Sequence, residues 1–279
     1  GNQSRHLQRQ PDINLPSFSV LSENAQLPPA QRASVNALRP YKGFSQILAR
    51  LSDANSNYNS LQLYATKRKG ALTWTASYTF SKALADASSN SDVSDEPFNH
   101  RYNYGPASFD RSHIFVSTFI VRTPSLRRRG AWLRGSLGAW ELSGIGRAQS
   151  GQPYTVFSNT PTGLRRADYV GGDLYLPSGE RTVNRWFNTG AFAAPPADRF
   201  GNSGFNNLRG PGLTLFDFSL RKVFSITEQV KLRFQADAFN AFNKANFRGF
   251  TTNTADRDFG AVTASGPGRN VQLGMRLTF

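Results

Sequence analysis

The chain of 279 residues contains no cysteine and only three histidines. Without cysteine there is no disulfide, no thiolate nucleophile and no cysteine-based zinc site. The histidines, His6, His100 and His113, stand too far apart in sequence for a metal-binding motif. The acidic stretch Asp92 to Glu96 lacks the ligand spacing and the glycine of a calcium loop. A metal or a cofactor is therefore not expected.

A Gly-x-Ser-x-Gly sequence is also absent, so the turn that presents the nucleophilic serine of many hydrolases is missing. The adjacent pair Asp110 and Arg111 fits the base of a loop better than a catalytic site, because it immediately precedes a predicted strand. We therefore do not expect an enzyme.

Long apolar runs are missing as well. No segment approaches the roughly 18 to 20 continuous apolar residues of a transmembrane helix. This excludes a helical membrane protein, whereas a transmembrane β-barrel needs only every second residue of each strand to be apolar. The N-terminus has neither a starting methionine nor a basic segment followed by an apolar one, which indicates a mature chain or a fragment.

Acidic residues are too few to balance the basic ones, which leaves a net charge of +15. Clustered cations favour nucleic-acid binding. Here they concentrate at two candidate turns, Lys67–Lys69 and Arg127–Arg129, and are otherwise scattered over polar strand faces. Such turns suit the anionic headgroups of a membrane. We expect no nucleic-acid partner, and a soluble basic β-protein that binds nucleic acid or glycans is a weaker alternative.

What the sequence does contain is alternation, which is most regular in its last ten residues. A strand directs successive side chains to opposite faces, so every second residue shares a face. In a soluble protein the apolar row would cover a core, and in an outer-membrane barrel it would face lipid. The apolar residues of this row are Val271, Leu273, Met275, Leu277 and Phe279.

Two earlier segments predict hairpins whose apolar rows fall on one face. In the first, a turn at residues 69–70 sets Ala65 opposite Trp74 and Leu63 opposite Ala76.

In the second, a turn at residues 225–227 sets Phe218 opposite Phe234 and Leu220 opposite Leu232. The opposite face of this second hairpin carries Asp217, Arg221, Arg233 and Asp237.

Short and long connections alternate between the predicted strands. Short ones lie at 69–70, 123–134 and 225–227, and long polar ones at 84–111, 158–211 and 244–268. This is the outer-membrane pattern of short periplasmic turns and long extracellular loops. The strands before the C-terminal one are predicted at 58–68, 72–83, 112–122, 135–150, 212–224 and 229–243.

Counting back from the C-terminal strand assigns the first part of the chain. Gly1 to Gln10 is predicted as the upper end of an outgoing strand whose beginning lies outside this chain. Residues 11–57 then form an external loop, with a β-like piece from Phe44 to Leu51 above the membrane. The predicted fold is all-β, an antiparallel transmembrane β-barrel segment of about eight strands.

Seven phrases distributed along the chain resemble one protein family. They are Asn57–Gln62, Ser77–Lys82, Tyr104–His113, Ser150–Thr155, Trp186–Phe192, Asn207–Pro211 and Ala238–Phe247. In order and spacing they resemble the C-terminal barrel of Oar-like TonB-dependent receptors. The resemblance implies a bacterial outer-membrane barrel of about 22 strands, plugged by an N-terminal domain and opened by the TonB complex. Residues 1–279 correspond to about the terminal third of such a barrel, without a plug domain.

The barrel interpretation suggests roles for three sets of residues. The C-terminal row Val271, Leu273, Met275, Leu277 and Phe279 resembles the signal that the barrel assembly machinery recognises by strand addition, and an ordinary terminal strand is the alternative. Asp217, Arg221, Arg233 and Asp237 either line a substrate route in the lumen or hydrate a polar interior and pair with one another. Aromatic residues expected at the membrane interfaces are Trp74, Tyr78, Phe80 and Trp140.

Two functions follow as hypotheses. The first is a receptor and transporter that captures an unidentified extracellular ligand with its long loops and takes it up through the barrel. The second is a small outer-membrane barrel for binding or adhesion that transports nothing. Both place the chain in outer-membrane lipid.

Overall fold

The computed structural model describes residues 1–89, 96–126, 130–160, 163–197 and 199–279. Most of the acidic stretch Asp92–Glu96 and the basic turn Arg127–Arg129 lie outside these described residues. The strands in chain order are β1 (Asn2–Arg9), β2 (Leu51–Lys69), β3 (Leu72–Ala85), β4 (Gly105–Pro106), β5 (His113–Arg122), β6 (Trp140–Gln149), β7 (Pro153–Tyr154), β8 (Phe157–Thr160), β9 (Gly163–Arg166), β10 (Asp168–Tyr169), β11 (Phe192–Ala193), β12 (Leu208–Arg209), β13 (Leu213–Ser225), β14 (Lys231–Phe239), β15 (Phe247–Phe250), β16 (Val262–Ser265) and β17 (Asn270–Thr278).

The helices are short. They are α1 (Phe18–Gln26), α2 (Val35–Leu38), α3 (His100–Asn103) and α4 (Ala131–Leu137), with 3-10 turns at Pro29–Gln31, Ser178–Glu180 and Thr189–Ala191. In the described part of the chain, no helix has the length and apolar character needed to cross a membrane.

One antiparallel sheet contains all the strands predicted from the alternation. Its order is β1-β2-β3-β5-β6-β13-β14-β17, with the short β4 beside β3. Gly1 to Gln10 corresponds to β1, which pairs with the start of β2. Among the described residues β1 and β17 do not pair with each other, so the sheet has two open edges and does not close into a barrel.

The first hairpin forms with a different register from the predicted one. Lys69 pairs with Leu72, which places Leu63 opposite Tyr78. The predicted turn at 69–70 was wrong by one residue, because Gly70 takes the first turn position, where its φ is +58°. Glycine is the residue that adopts this conformation at low cost in a tight hairpin. The register moves by an even number of residues, so both apolar rows still share one face.

The second hairpin shows the same kind of correction. Its turn is longer than the predicted 225–227, because the backbone N–H of Ile226 donates to the carbonyl of Val230 at 2.9 Å. Phe218 consequently lies opposite Ala238 rather than Phe234, and Leu220 lies opposite Ala236. The displacement is again even, and the assignment of residues to the two faces holds.

Two predicted strand boundaries were wrong. The strand predicted at 135–150 begins only at Trp140, because residues 131–137 form α4. The strand predicted at 229–243 ends at Phe239, where Asn240 adopts a φ of +46°.

Residues 11–57 do not form a single loop, because α1 and α2 fold within them and β2 begins at Leu51. The β-like piece Phe44–Leu51 is a strand only at its end. Before Leu51 it contains one isolated bridge, from Leu48 to Asp12. The side-chain amide of Asn14 instead donates to the carbonyls of Tyr41, Phe44 and Ser45 at 2.9 to 3.2 Å, which folds this segment back on itself.

The larger hydrophobic core lies in the long connections, and a smaller buried cluster joins Ala83 and Ala85 of β3 to Ala107. Residues 150–212 and 240–269, here called the connection layer, contain the small paired strands β7/β12, β8/β9, β10/β11 and β15/β16. Phe187 is fully buried at the centre of this core, with edge contacts to the rings of Phe192, Phe250 and Phe259 at 5.3 to 6.0 Å between centroids. The buried members of the core are Val156, Ala167, Phe187, Ala191, Phe192, Leu208 and Phe250.

Candidate functional site

The two faces of the sheet differ in chemistry, as the alternation predicts. All four predicted interface aromatics lie on the apolar face, and three of them donate or share a hydrogen bond within the protein. The indole N–H of Trp74 donates to Ser117 Oγ at 2.9 Å, and that of Trp140 to the carbonyl of Ser136 at 2.7 Å. The hydroxyl of Tyr78 lies 2.7 Å from His113 Nδ1, and the ring of Phe80 lies 5.1 Å from the ring of His113. Their location at membrane interfaces stays a prediction.

The C-terminal row occupies an open edge of the sheet. β17 pairs with β14, so that Leu273 lies opposite Ala236 and Met275 opposite Phe234. Leu273 and Met275 are 73% and 77% exposed, and Phe279, which follows the strand, is 95% exposed. An apolar row on an unpaired edge is suited to strand addition. Recognition by the assembly machinery stays a prediction.

The predicted lumen-lining residues do share the polar face, but their signs are separated along it. In the observed register Asp237 lies opposite Ser219 and Arg221 lies opposite Gln235. In the part of the chain that the structure describes, the two aspartates form no ion pair with the two arginines. The expectation that Asp217, Arg221, Arg233 and Asp237 pair with one another is therefore wrong for the described residues, where Arg221 contacts Glu141 instead.

Three of these four side chains, Asp217, Arg221 and Asp237, have other partners. Glu141 contacts Arg122 at 2.7 Å and Arg221 at 3.3 Å. Asp217 accepts the backbone N–H of Asn240 at 2.8 Å, and Asp237 accepts the amide of Gln235 at 2.9 Å. Arg233 lies opposite Arg276 on β17. The polar face is thus cationic near the short turns.

At the other end of the strands, a buried ion pair joins the sheet to the connection layer. The side chain of Asp110 is 1% exposed, and one of its oxygens accepts the backbone N–H of Ala83 at 2.6 Å. The other oxygen accepts a hydrogen bond from Arg209. Arg209 also donates to the carbonyls of Asp110 and Gly151. The hypothesis that this aspartate ties down the base of a loop is confirmed.

Three of the phrases that carry the family resemblance meet at this ion pair. Tyr104–His113 supplies Asp110, Asn207–Pro211 supplies Arg209, and Ser150–Thr155 supplies the Gly151 carbonyl. β7 and β12 pair directly above it, with Leu208 opposite Tyr154. The sequence alone did not predict that these phrases meet, because no local sequence pattern links residues about a hundred positions apart.

Arg111 differs from its neighbour Arg209 in having no carboxylate partner. Its guanidinium donates to the carbonyl of Asp110 at 2.9 Å and to the side-chain oxygen of Gln152 at 3.1 Å. In the described ranges no acidic side chain lies within 4.0 Å of it. Arg111 lies outside the strands, and burial lowers its pKa. The positive charge of Arg209 acts in the same direction, whereas Tyr154 and Asp110 oppose it.

Two clefts adjoin this guanidinium. The first has a volume of about 420 Å³ and the second about 630 Å³, a size suited to a small molecule. Both are lined by Arg111, Gln152 and Tyr154. The first cleft is also lined by Gln149 and Leu213 from the polar face and by Phe247, Arg248 and Thr263 from the connection layer. The second adds Phe109, Phe157, Phe205 and Asn206.

Close backbone contacts fix the junction beside the clefts. A Cβ atom added at Gly151 would lie 1.9 Å from the carbonyl oxygen of Gly210, and one at Gly212 would lie 2.7 Å from that of Gln149. Both positions therefore require glycine, because the backbones approach too closely for any side chain.

A second polar cluster lies where β1, β2 and the connection after β3 meet. Arg9 Nε lies 2.6 Å from Asp53, and His100 Nδ1 lies 2.6 Å from the buried carboxylate of Asp86. Sequence reasoning missed this cluster, because its members come from four separate segments and show no local pattern. Within the described residues, no three histidine or acidic side chains form a group that could hold a metal ion. The chemistry offered by the clefts is hydrogen bonding, positive charge and aromatic contact.

Comparison with known proteins identifies the family. A search of curated proteins returned no match for this chain. The family described as outer membrane beta barrel domain matches residues 1–272, which is nearly the whole chain. This match agrees with the antiparallel sheet, its one apolar face and the alternation of short and long connections. The protein is located in the bacterial outer membrane, and the chain belongs to the outer membrane beta barrel domain family.

Proposed function

We propose that this chain is the C-terminal barrel portion of a TonB-dependent receptor that takes up a small ligand. The connection layer would capture the ligand outside the cell, and the polar face of the sheet would form part of the wall along which it passes. The energy would come from the TonB complex through a plug domain in a part of the protein that precedes this chain. The proposed role is binding and transport rather than catalysis.

The observation that carries this proposal is the position of the clefts. The first cleft is lined both by residues of the polar face and by residues of the connection layer. In a barrel the polar face is the luminal one. A ligand held at Arg111 would therefore already contact the wall that leads inward. A loop that served adhesion alone would not need this continuity with the lumen.

The open edges support a larger barrel over a small closed one. A closed barrel leaves no unpaired strand. Here β1 and β17 each pair on one side only, in the described residues. Additional strands of the same protein would cover both edges in a barrel of about 22 strands. The alternative, a small barrel for binding or adhesion, requires these two edges to meet.

A test of TonB dependence distinguishes a transporter from an adhesion protein. Cells with the natural gene, cells lacking it and cells lacking TonB would be grown in one medium, and depletion of its small molecules compared by mass spectrometry. We expect at least one compound to be depleted by cells with the natural gene and by neither of the other two strains. The full-length protein should also bind the isolated periplasmic domain of TonB. A protein that neither binds this domain nor changes uptake would support adhesion instead.

A further inference from the structure

We infer that the cleft at Arg111 binds a soluble ligand through an anionic group, a carboxylate or a phosphate. This inference rests on the proposed function for the fate of the ligand, although binding itself does not require transport. The argument depends on charge, on the geometry of the guanidinium and on the size of the clefts.

The charged side chains that line the clefts in the described structure are positive. Arg111 lines both clefts and Arg248 lines the first, whereas among the described residues no aspartate or glutamate lines either of them. The nearest carboxylate, that of Asp110, is already engaged by Arg209 and by the N–H of Ala83. Arg147 adds a further positive charge on the adjoining polar face, where it donates to Gln149 at 2.7 Å. An anion would balance this excess.

The guanidinium of Arg111 is held in place with hydrogen-bonding capacity left over. It donates to two neutral oxygens, the carbonyl of Asp110 and the side chain of Gln152, and it carries more N–H donors than these acceptors use. The amide of Gln152 in turn donates to the hydroxyl of Tyr154, which fixes the orientation of Gln152. A planar guanidinium with fixed orientation matches carboxylate and phosphate oxygens and makes short, charge-assisted hydrogen bonds to them.

Size and surroundings limit the ligand further. The cleft volumes of about 420 and 630 Å³ fit a small molecule rather than a protein segment. The rings of Phe109, Phe157 and Phe205 line the second cleft and offer apolar contact to the rest of the ligand. Both clefts adjoin the polar face or the connection layer, so a soluble compound is favoured over a lipid headgroup.

Calorimetry on the full-length protein, purified in detergent, tests the inference. Citrate and inorganic phosphate serve as the two anionic probes, and glycerol serves as the uncharged one. We expect at least one anion to bind, and Arg111→Gln to weaken that binding by about tenfold or more, as expected for the loss of a charge-assisted hydrogen bond. Arg257→Gln removes an exposed arginine outside both clefts and should leave binding unchanged.

Several outcomes would overturn the inference. The first is that neither anion binds, and the second is that the Arg111 and Arg257 variants bind the anion equally well. The third is that short-chain phosphatidylglycerol in mixed micelles binds to the protein whereas neither soluble anion does. If Arg111→Gln does not fold, which heat-modifiable migration would show, Arg248→Gln replaces it with the same expectation. Binding to the TonB domain should be unaffected by Arg111→Gln, so failure of the anion site and failure of the proposed function are distinguishable.

Discussion

The ammonium group of Lys222 donates to the main-chain carbonyl of Ser136 at 3.1 Å, which joins β13 to the last turn of α4. The last carbonyls of a helix have no partner within it, so a cation there is favourable. Lys222 lies in the apolar row of β13, opposite Trp140, and its ammonium lies 4.7 Å from the indole ring of Trp140. Helix α4 therefore covers the charge of Lys222, which is 2% exposed, on the apolar face of the sheet.

The same arrangement leaves apolar side chains of α4 exposed beside the apolar face. Trp132 and Leu137 are 77% and 58% exposed. Because tryptophan favours the interface between membrane and water, we expect Trp132 to contact lipid. In vesicles containing brominated phospholipid, Trp132→Phe should remove a quenched component of the tryptophan fluorescence. Trp186→Phe, which removes a ring of the connection layer, should remove an unquenched component. Quenching of Trp132 by aqueous iodide instead would contradict this prediction.

The ion pair between Asp110 and Arg209 should contribute strongly to stability. Asp110→Asn leaves Arg209 without its carboxylate in a mostly buried site, and removal of one partner of a buried pair costs about 3 to 5 kcal/mol. We expect a lower urea midpoint for unfolding of the full-length protein in detergent. The matched variant Asp173→Asn changes an exposed aspartate of the connection layer and should have a midpoint close to that of the unaltered protein. Equal midpoints for the two variants would show that the ion pair is not a structural tie.

The sequence was most informative about faces and least informative about register. Alternation alone places Leu63 and Tyr78 on one face, because the side-chain period of a strand is two residues. Their pairing with each other depends on which residues form the turn. Gly70, whose φ is positive, takes the first turn position, and this sets Leu63 opposite Tyr78. An even error in register leaves every face assignment intact, so the pattern could not reveal it.

The candidate site was predicted in part. The sequence indicated a loop base at Asp110, but not that Arg209, far along the chain, would be its partner. The core of the connection layer was also missed, because its aromatic residues, such as Phe187 and Phe250, are scattered through polar segments without periodicity. Helix α4 was missed because the predicted strand was extended back to residue 135, although Leu137 is out of phase with the apolar row of Trp140 and Leu142.

The close approach of Gly151 to Gly210 predicts a strict size limit at the base of the clefts. Gly151→Ala would place a methyl group 1.9 Å from the carbonyl oxygen of Gly210, so the two backbones must separate. Overpacking of this kind costs about 1 to 3 kcal/mol. We expect faster proteolysis within the connection layer. Gly179→Ala, where an added Cβ has no neighbour within 4 Å, should digest at the unaltered rate. Identical digestion of both variants would contradict the predicted separation.

Deletion of Phe279 distinguishes a role of the C-terminal row in barrel assembly from a role in the stability of the folded protein. Its side chain is 95% exposed and lies beyond the last residue of β17, so its deletion should not change the urea midpoint of the folded protein. If the C-terminal row is an assembly signal, the same deletion should reduce the amount of protein recovered in the outer membrane. Phe44→Ala, which removes another exposed phenylalanine, should leave that amount unchanged. Normal recovery after deletion of Phe279 would exclude its role in the signal.

The connection layer should loosen in acid because of Asp168. This carboxylate is buried, which raises its pKa, but hydrogen bonds from Arg199 and from the N–H of Asn202, together with the charge of Arg199, outweigh burial and hold the pKa below its ordinary range. A group with a lowered pKa stabilises the fold above its unfolded value, about 3.9, and loses that contribution as pH falls through the folded value. The effect is therefore constant near neutral pH and appears below about pH 4.

Substitution of Asp168 tests this dependence. Asp168→Asn should lower stability at neutral pH and flatten the part of the acid dependence that this carboxylate causes. Tryptophan fluorescence followed from pH 7 to 3 reports the transition, since Trp186 packs against the core of the connection layer. Asp173→Asn serves as the control, because Asp173 is an exposed aspartate of the same layer. An unchanged acid transition in Asp168→Asn would mean that another group controls the loosening of the layer.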